Sequence, residues 1–111
     1  MIAFDTQGPL LSFTGANSAP TSVQAISLDG VQQQQVVLTN TDVANDCVVG
    51  WGASDTVAKL NAAAGAGCSN CYYLLARSQV VVTTGSGMYF SGITPGSGVT
   101  AVVKVQAGYG V

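Results

Sequence analysis

Val99-Thr100-Ala101-Val102-Val103-Lys104-Val105-Gln106 alternates along its whole length, and that alternation decides the fold class. In an extended chain successive side chains point to opposite sides, so Val99, Ala101, Val103 and Val105 share one face. Thr100, Val102, Lys104 and Gln106 share the other. A helix, with its period of 3.6, would scatter the same valines around its axis. One apolar face backed by a mixed face marks a strand of an antiparallel sheet with a core on one side only.

The same texture continues upstream. Pro95-Gly96-Ser97-Gly98 is a turn, and Met88-Tyr89-Phe90 before it reads as a strand. Gly85-Ser86-Gly87 separates that strand from the β-branched stretch 79–83, and Arg77-Ser78 separates 79–83 from the aromatic and apolar stretch 72–75. Residues 47–51 read as a buried strand. Residues 22–28 and 31–39 flank Asp29-Gly30, a strong hairpin signal because both residues tolerate the positive φ of a type I′ turn. A further apolar cluster, with Leu10, Leu11 and Phe13, lies at 9–14. Residues 54–64 break the pattern. Ser54 suits a helix cap and Asp55 a first turn, while Val57, Leu60 and Ala64 fall three and four apart, the spacing of one helical face. Gly65 and Gly67 then end the helix.

Short strands at spacings near ten residues, with turn signals between them, predict an all-β single domain. The expected architecture is a β-sandwich or jelly-roll-like fold of about seven or eight strands with one short helix. The turn-rich residues 1–20 are expected to form an extended N-terminal arm, and 21–111 the sandwich. A chain of 111 residues has room for only one core.

Composition narrows function. Hydrophobic residues make up 48% and charged residues 7%, where soluble domains usually carry about a quarter. All five acids are aspartate, and the bases are Lys59, Arg77 and Lys104. With a mean hydropathy of +0.41, so little charge points to a surface that is covered in the working state. A secreted protein coated in neutral polar side chains is the other explanation. Nucleic acid is not an expected partner, since phosphate binding commonly takes about six or more clustered basic contacts. A membrane is not expected either. The apolar run 79–84 is far shorter than the ~20 residues of a spanning helix. Met1-Ile2-Ala3-Phe4-Asp5 lacks the basic region of a signal peptide.

No catalytic residues and no cofactor are expected. Histidine and glutamate are absent, which removes the commonest general base and metal ligand. Asp42 and Asp46 sit among turn formers and read as turn or cap residues. Gly85-Ser86-Gly87 and Gly96-Ser97-Gly98 lack the flanks of a nucleophile elbow and read as turns. The thiols Cys47, Cys68 and Cys71 admit three readings: packing thiols, a local or Cys47-linked disulfide, and a weak metal site. Cys68-x-x-Cys71 supplies half a zinc site, Cys47 is the natural third ligand, and a fourth would have to be Asp46 or water. An odd cysteine count favours reduced thiols made in a cytoplasm. Trp51, between Gly50 and Gly52, suits either a core or a sugar-stacking platform, and Val48 and Val49 leading into it favour the core. Tyr72 and Tyr73 point to opposite faces of a strand, so one of them is expected to face a partner or solvent. Tyr89 completes the set of candidate interface or packing residues.

The order of these segments resembles a group of small virion proteins of tailed bacteriophages. The matching features are Val48-Val49-Gly50-Trp51-Gly52 before an Ala-rich helix and the Tyr73-Leu74-Leu75 strand. Met88-Tyr89-Phe90-Ser91-Gly92-Ile93-Thr94 and a chain end of Gln106-Ala107-Gly108-Tyr109-Gly110-Val111 complete them. The resemblance spans residues 36–111. It implies a β-sandwich or jelly-roll subunit added to the phage particle, namely a capsid decoration (cement) protein on the virion surface. Such a protein is made in the host bacterial cytoplasm, binds the major capsid protein and forms dimers or trimers. A tail or head-fibre component is the alternative within virions, and a carbohydrate-binding module using Trp51 and the tyrosines is the alternative outside them. The group has no catalytic residues to carry over. Cys47, Cys68 and Cys71 fall outside its pattern, so the resemblance gives no account of them.

Overall fold

The computed structural model describes residues 5–6, 10–16, 22–25, 34–63, 70–85, 88–95 and 99–109. Among them are nine strands and one helix: β1 Asp5–Thr6, β2 Leu11–Gly15, β3 Ser22–Gln24, β4 Gln34–Asn40, β5 Cys47–Gly52, α1 Asp55–Ala63, β6 Cys71–Leu74, β7 Gln79–Thr84, β8 Tyr89–Ile93 and β9 Ala101–Tyr109. They form two antiparallel sheets. The first has the order β1-β9-β4-β7, with β2 also on β9, and the second has the order β3-β8-β5-β6. β1 and β2 lie end to end along one edge of β9, opposite Gly108–Tyr109 and Ala101–Val105 respectively.

The pairing is nested: β2 with β9, β3 with β8, β4 with β7, β5 with β6. The chain is thus one long antiparallel hairpin rolled over on itself, so that its successive pairs fall in alternate sheets. This double Greek-key arrangement is the jelly roll. It matches the expected all-β fold with a single short helix.

Alternation places the core. β4 buries Gln34, Val36, Leu38 and Asn40 while the residues between them are partly exposed, and β9 buries Ala101, Val103, Val105 and Ala107 in the same way. Cys47, Val49, Trp51, Leu74 and Phe90 answer from the second sheet. Fully burying a side chain the size of Phe90, Leu38 or Leu74 contributes about 1.5–3 kcal/mol. A one-residue slip of β9 would turn every such residue outward, so the register is strongly specified.

Three expectations are corrected. The Asp29-Gly30 turn itself lies outside the described residues, but β3 pairs with β8 and β4 with β7 and β9. The strands on either side of that turn therefore belong to different sheets and do not form a hairpin, because each buries its apolar residues from its own side of the core. Within the supposed arm, Leu11–Gly15 is an integral strand, and Phe13 is a core residue. A five-residue strand carrying a buried aromatic cannot hang free.

The third concerns the helix. It starts where expected: Ser54 Oγ accepts the N–H of Val57 at 3.2 Å, and Asp55 pairs with Lys59 at 3.2 Å. The face that docks is different. Ala58 and Ala62 are buried, whereas Leu60 is 65% exposed and Val57 42%. The helix lies on the outer side of the second sheet directly over Gly50, where an added Cβ would stand 2.7 Å from both Ala62 Cα and Asn61 C. An approach that close admits alanine against glycine and leaves no space for leucine.

Candidate interaction surface

The cysteines occupy two separate places. Cys47 points into the core, and its sulfur fills the space left by two glycines: a Cβ on Gly15 would sit 2.7 Å from it, and one on Gly92 2.6 Å. Burial pushes its thiol pKa from 9.0 up to about 12, so it is a protonated, unreactive packing group. Cys71 pairs with Gly50, on the helix side of the same sheet. Two cysteines on opposite faces of one sheet cannot ligate a common ion or join each other. Cys68, the other half of the Cys-x-x-Cys pattern, lies outside the described residues. Among the described residues no group of three or more potential ligands converges.

Trp51 belongs to the core. It is 7% exposed, and its ring lies 6.0 Å from that of Phe90 at an interplanar angle of 38°. An indole in that position is closed to a sugar ring, so of the residues named for the carbohydrate-binding alternative Trp51 is not available, while Tyr72 and Tyr73 are exposed. Asn61 Nδ2 donates to the Trp51 carbonyl at 2.7 Å and ties the helix to this strand. Tyr89 pairs with Gly52 on the helix side and is half-buried.

Tyr72 and Tyr73 behave differently from the expectation that only one would be accessible: they are 42% and 51% exposed. Both lie on β6, the last strand of its sheet. Tyr73 faces outward, and its hydroxyl donates to Asp46 Oδ2 at 3.0 Å, which raises its pKa. Tyr72 pairs with Val49, a core residue, and so points between the sheets at their open side.

One end of the sandwich is built to hold its shape. Asp46 Oδ1 accepts the N–H of Ala76 at 2.9 Å, and Asp42 Oδ2 accepts those of Ala44 and Asn45 at 2.9 and 2.6 Å. The two backbone bonds to Asp42 lower its pKa. Both aspartates are turn anchors, as the sequence indicates. Asn40, almost wholly buried, donates to the carbonyls of Asn45 and Leu74 and accepts the N–H of Asp42. Arg77 N donates to the Asp42 carbonyl at 3.0 Å, and Arg77 adopts a φ of 58°, a left-handed conformation normally left to glycine. This bonded frame carries two exposed apolar residues, Val43 and Leu75. Val43 does not stand out in the sequence, because an isolated apolar residue in a turn has no periodicity to reveal it, and Leu75, read there as part of the strand 72–75, lies just past the end of β6.

The remaining surface of interest is the outer face of the first sheet. Unlike the second sheet it carries no helix among the described residues, and it presents Ser12, Thr14, Val37, Thr39, Val102 and Gln106 across three strands. Among the described residues of that face Lys104 is the one charge. Compared with known proteins, the chain matches no protein-family model and no curated protein sequence.

Proposed function

We propose that the chain is a structural virion protein of a tailed bacteriophage, a non-catalytic capsid decoration (cement) protein. It binds and reinforces the shell of major capsid protein through the outer face of its first sheet, on which Lys104 is the one charge among the described residues. That face is the observation that carries the reading. It is built on strands held in register by the core, and apart from Lys104 its described residues are Val, Thr, Ser and Gln where a solvated sheet would carry many Lys and Glu. Apolar area withdrawn from water stabilises by about 25 cal/mol per Å² before the costs of association. A face with one described charge, Lys104, on a long flexible side chain that can keep its ammonium in water, can therefore be covered at small electrostatic cost. Contacts that are modest singly become strong when many linked copies engage a symmetric shell.

The fold alone is common to capsid, lectin and cupin domains, so it does not choose among functions. A cupin-type metal site has no histidine to draw on, and a lectin platform loses Trp51 to the interior. No described helix is long and apolar enough to cross a membrane.

Co-sedimentation with assembled tailed-phage heads tests the proposal. Saturable binding to heads is expected, with weak binding to unassembled capsid protein, and Val102→Glu on the exposed face should weaken head binding by about tenfold or more. Binding to tails or fibres alone would move the protein to the alternative virion location. Absence of binding to any particle would overturn the proposal.

A further inference from the structure

Four sheet edges bound the sandwich, and they are not equivalent. One edge of the first sheet is shared by β1 and β2, and in the second sheet β3 has three residues and β6 four. β7 has six, Gln79-Val80-Val81-Val82-Thr83-Thr84, and runs in unbroken register with β4 from Gln34↔Thr84 to Thr39↔Gln79. Proteins blunt long edges with charge, proline or a bulge. β7 has none of these, and among the described residues no strand pairs with its other side.

The hydrogen-bond phase shows what that side offers. Asn40 N donates to Ser78 O at 2.9 Å, and on the opposite side of β4 Thr41 N donates to Val102 O at 3.0 Å. In an antiparallel ladder bonded and non-bonded pairs alternate. Even-numbered residues of β4 therefore bond to β7 and odd-numbered ones to β9. Within β7, Val80, Val82 and Thr84 turn their backbone groups to β4, and Gln79, Val81 and Thr83 turn theirs outward.

We propose that the β7 edge is a self-association surface, paired antiparallel with β7 of a second copy about a two-fold axis at Val81. Val81 then faces Val81 of the second copy, and Gln79 faces Thr83 in both directions. Each facing pair exchanges two hydrogen bonds, so every outward N–H and C=O of the strand finds a partner. The outward groups are symmetric about Val81, which is why the fitting occupant is another copy of this chain. The absence of charge removes the like-charge repulsion that self-pairing of an ordinary edge would bring.

The side chains around this edge agree. β2 packs against β3 and β8 and closes one side of the sandwich, leaving β7 and β6, joined through the turn at 75–78, along the other. On this open side Tyr72 points between the sheets yet is 42% exposed, and Leu75 in the turn is exposed. A second copy across β7 would cover both. The two first sheets would then merge into one continuous sheet whose outer face carries, among the described residues, only Lys104 of each copy as charge. The pairing deepens the structural-protein reading by naming the surface for self-association, and it can fail while shell binding stands.

Sedimentation analysis of the whole chain, without phage particles, provides the test. The wild type should be a dimer at high micromolar concentration. Val81→Pro should remain folded, because the N–H it removes faces outward, and should dimerise at least about tenfold more weakly. Val82→Pro removes a bond to β4 and should unfold. With Cys68 and Cys71 replaced by Ser, Val81→Cys should form a disulfide-linked dimer on oxidation. The facing Cα atoms of a bonded pair lie about 5.5 Å apart, within disulfide reach. Gln79→Cys should not cross-link, since its counterpart lies at the far end of the pairing. A wild-type monomer, an undiminished dimer in a folded Val81→Pro variant, or equal cross-linking by Gln79→Cys would each overturn the inference. Circular dichroism shows whether each variant has folded.

Discussion

At the scale of single residues, the interior is set by the absence of side chains as much as by their presence. Gly15 on the first sheet and Gly92 beside Cys47 on the second leave the volume that the thiol fills. Gly15→Ala should cost about 1–3 kcal/mol, because its methyl would meet Cys47 Sγ at 2.7 Å in a close-packed core. Adding Cys47→Ala should recover part of that loss, which a double-mutant cycle in urea would measure. The same burial gives a pH dependence. Below pH 9 the Cys47 thiol is protonated in folded and unfolded chains alike, and the fold keeps its full stability. Above it the unfolded chain ionises while the folded thiol, pushed to about 12, does not. Stability is therefore lost as pH rises from 9.0 toward 12, by at most about 1.4 kcal/mol per pH unit. Thermal melts of the wild type and Cys47→Ala across that range should diverge, the wild type falling faster; parallel curves would refute the assignment. The cysteine spacing alone carried none of this, because the interval between Cys47 and Cys71 is the same whether the two thiols share one face of the sheet or lie on opposite faces.

At the scale of elements, the helix shows both the reach and the limit of pattern reading. Its start was legible in Ser54 and Asp55, since capping and the first-turn charge act between neighbours along the chain. Its docking face was not, since Val57 and Leu60 look like the natural inward stripe and Ala58 and Ala62 do the packing. The deciding partner, Gly50 under Ala62, lies on β5. Gly50→Ala would drive a methyl into the helix backbone at Ala62 and Asn61, which cannot swing aside as a side chain does. It should cost roughly 2 kcal/mol or more. Leu60→Gln, on the exposed face, should stay within about 0.5 kcal/mol. Chemical denaturation of the two variants distinguishes this docking from the reverse one, in which Leu60 would be the costly position.

At the scale of the whole molecule, the jelly roll turns local strands into distant pairs. Leu11 lies opposite Val105, Val23 opposite Phe90, and Val36 opposite Val82. Closing such loops costs chain entropy before the contacts return any stabilisation. The rolled hairpin also divides its surface. One sheet is roofed by α1, and the other, with Lys104 the one described charge on its outer face, has no described strand beyond its β7 edge. The proposed shell contact and the proposed two-fold pairing fall on these two surfaces, so a variant at Val102 and one at Val81 can separate them.

The sequence by itself determined that the chain is all-β, where most strands run, where the helix begins, that its surface carries almost no charge, and that Asp42 and Asp46 anchor turns. Each of these depends on side-chain alternation, capping or composition, which act over a few residues. Only the tertiary structure decided that the strands flanking Asp29-Gly30 part into different sheets, that Leu11–Gly15 is core strand, that Trp51 is interior while both Tyr72 and Tyr73 are exposed, and that no described strand pairs with the outer side of β7. Those outcomes depend on which distant strand lies alongside, and alternation states only that a strand has a face to bury, never against what.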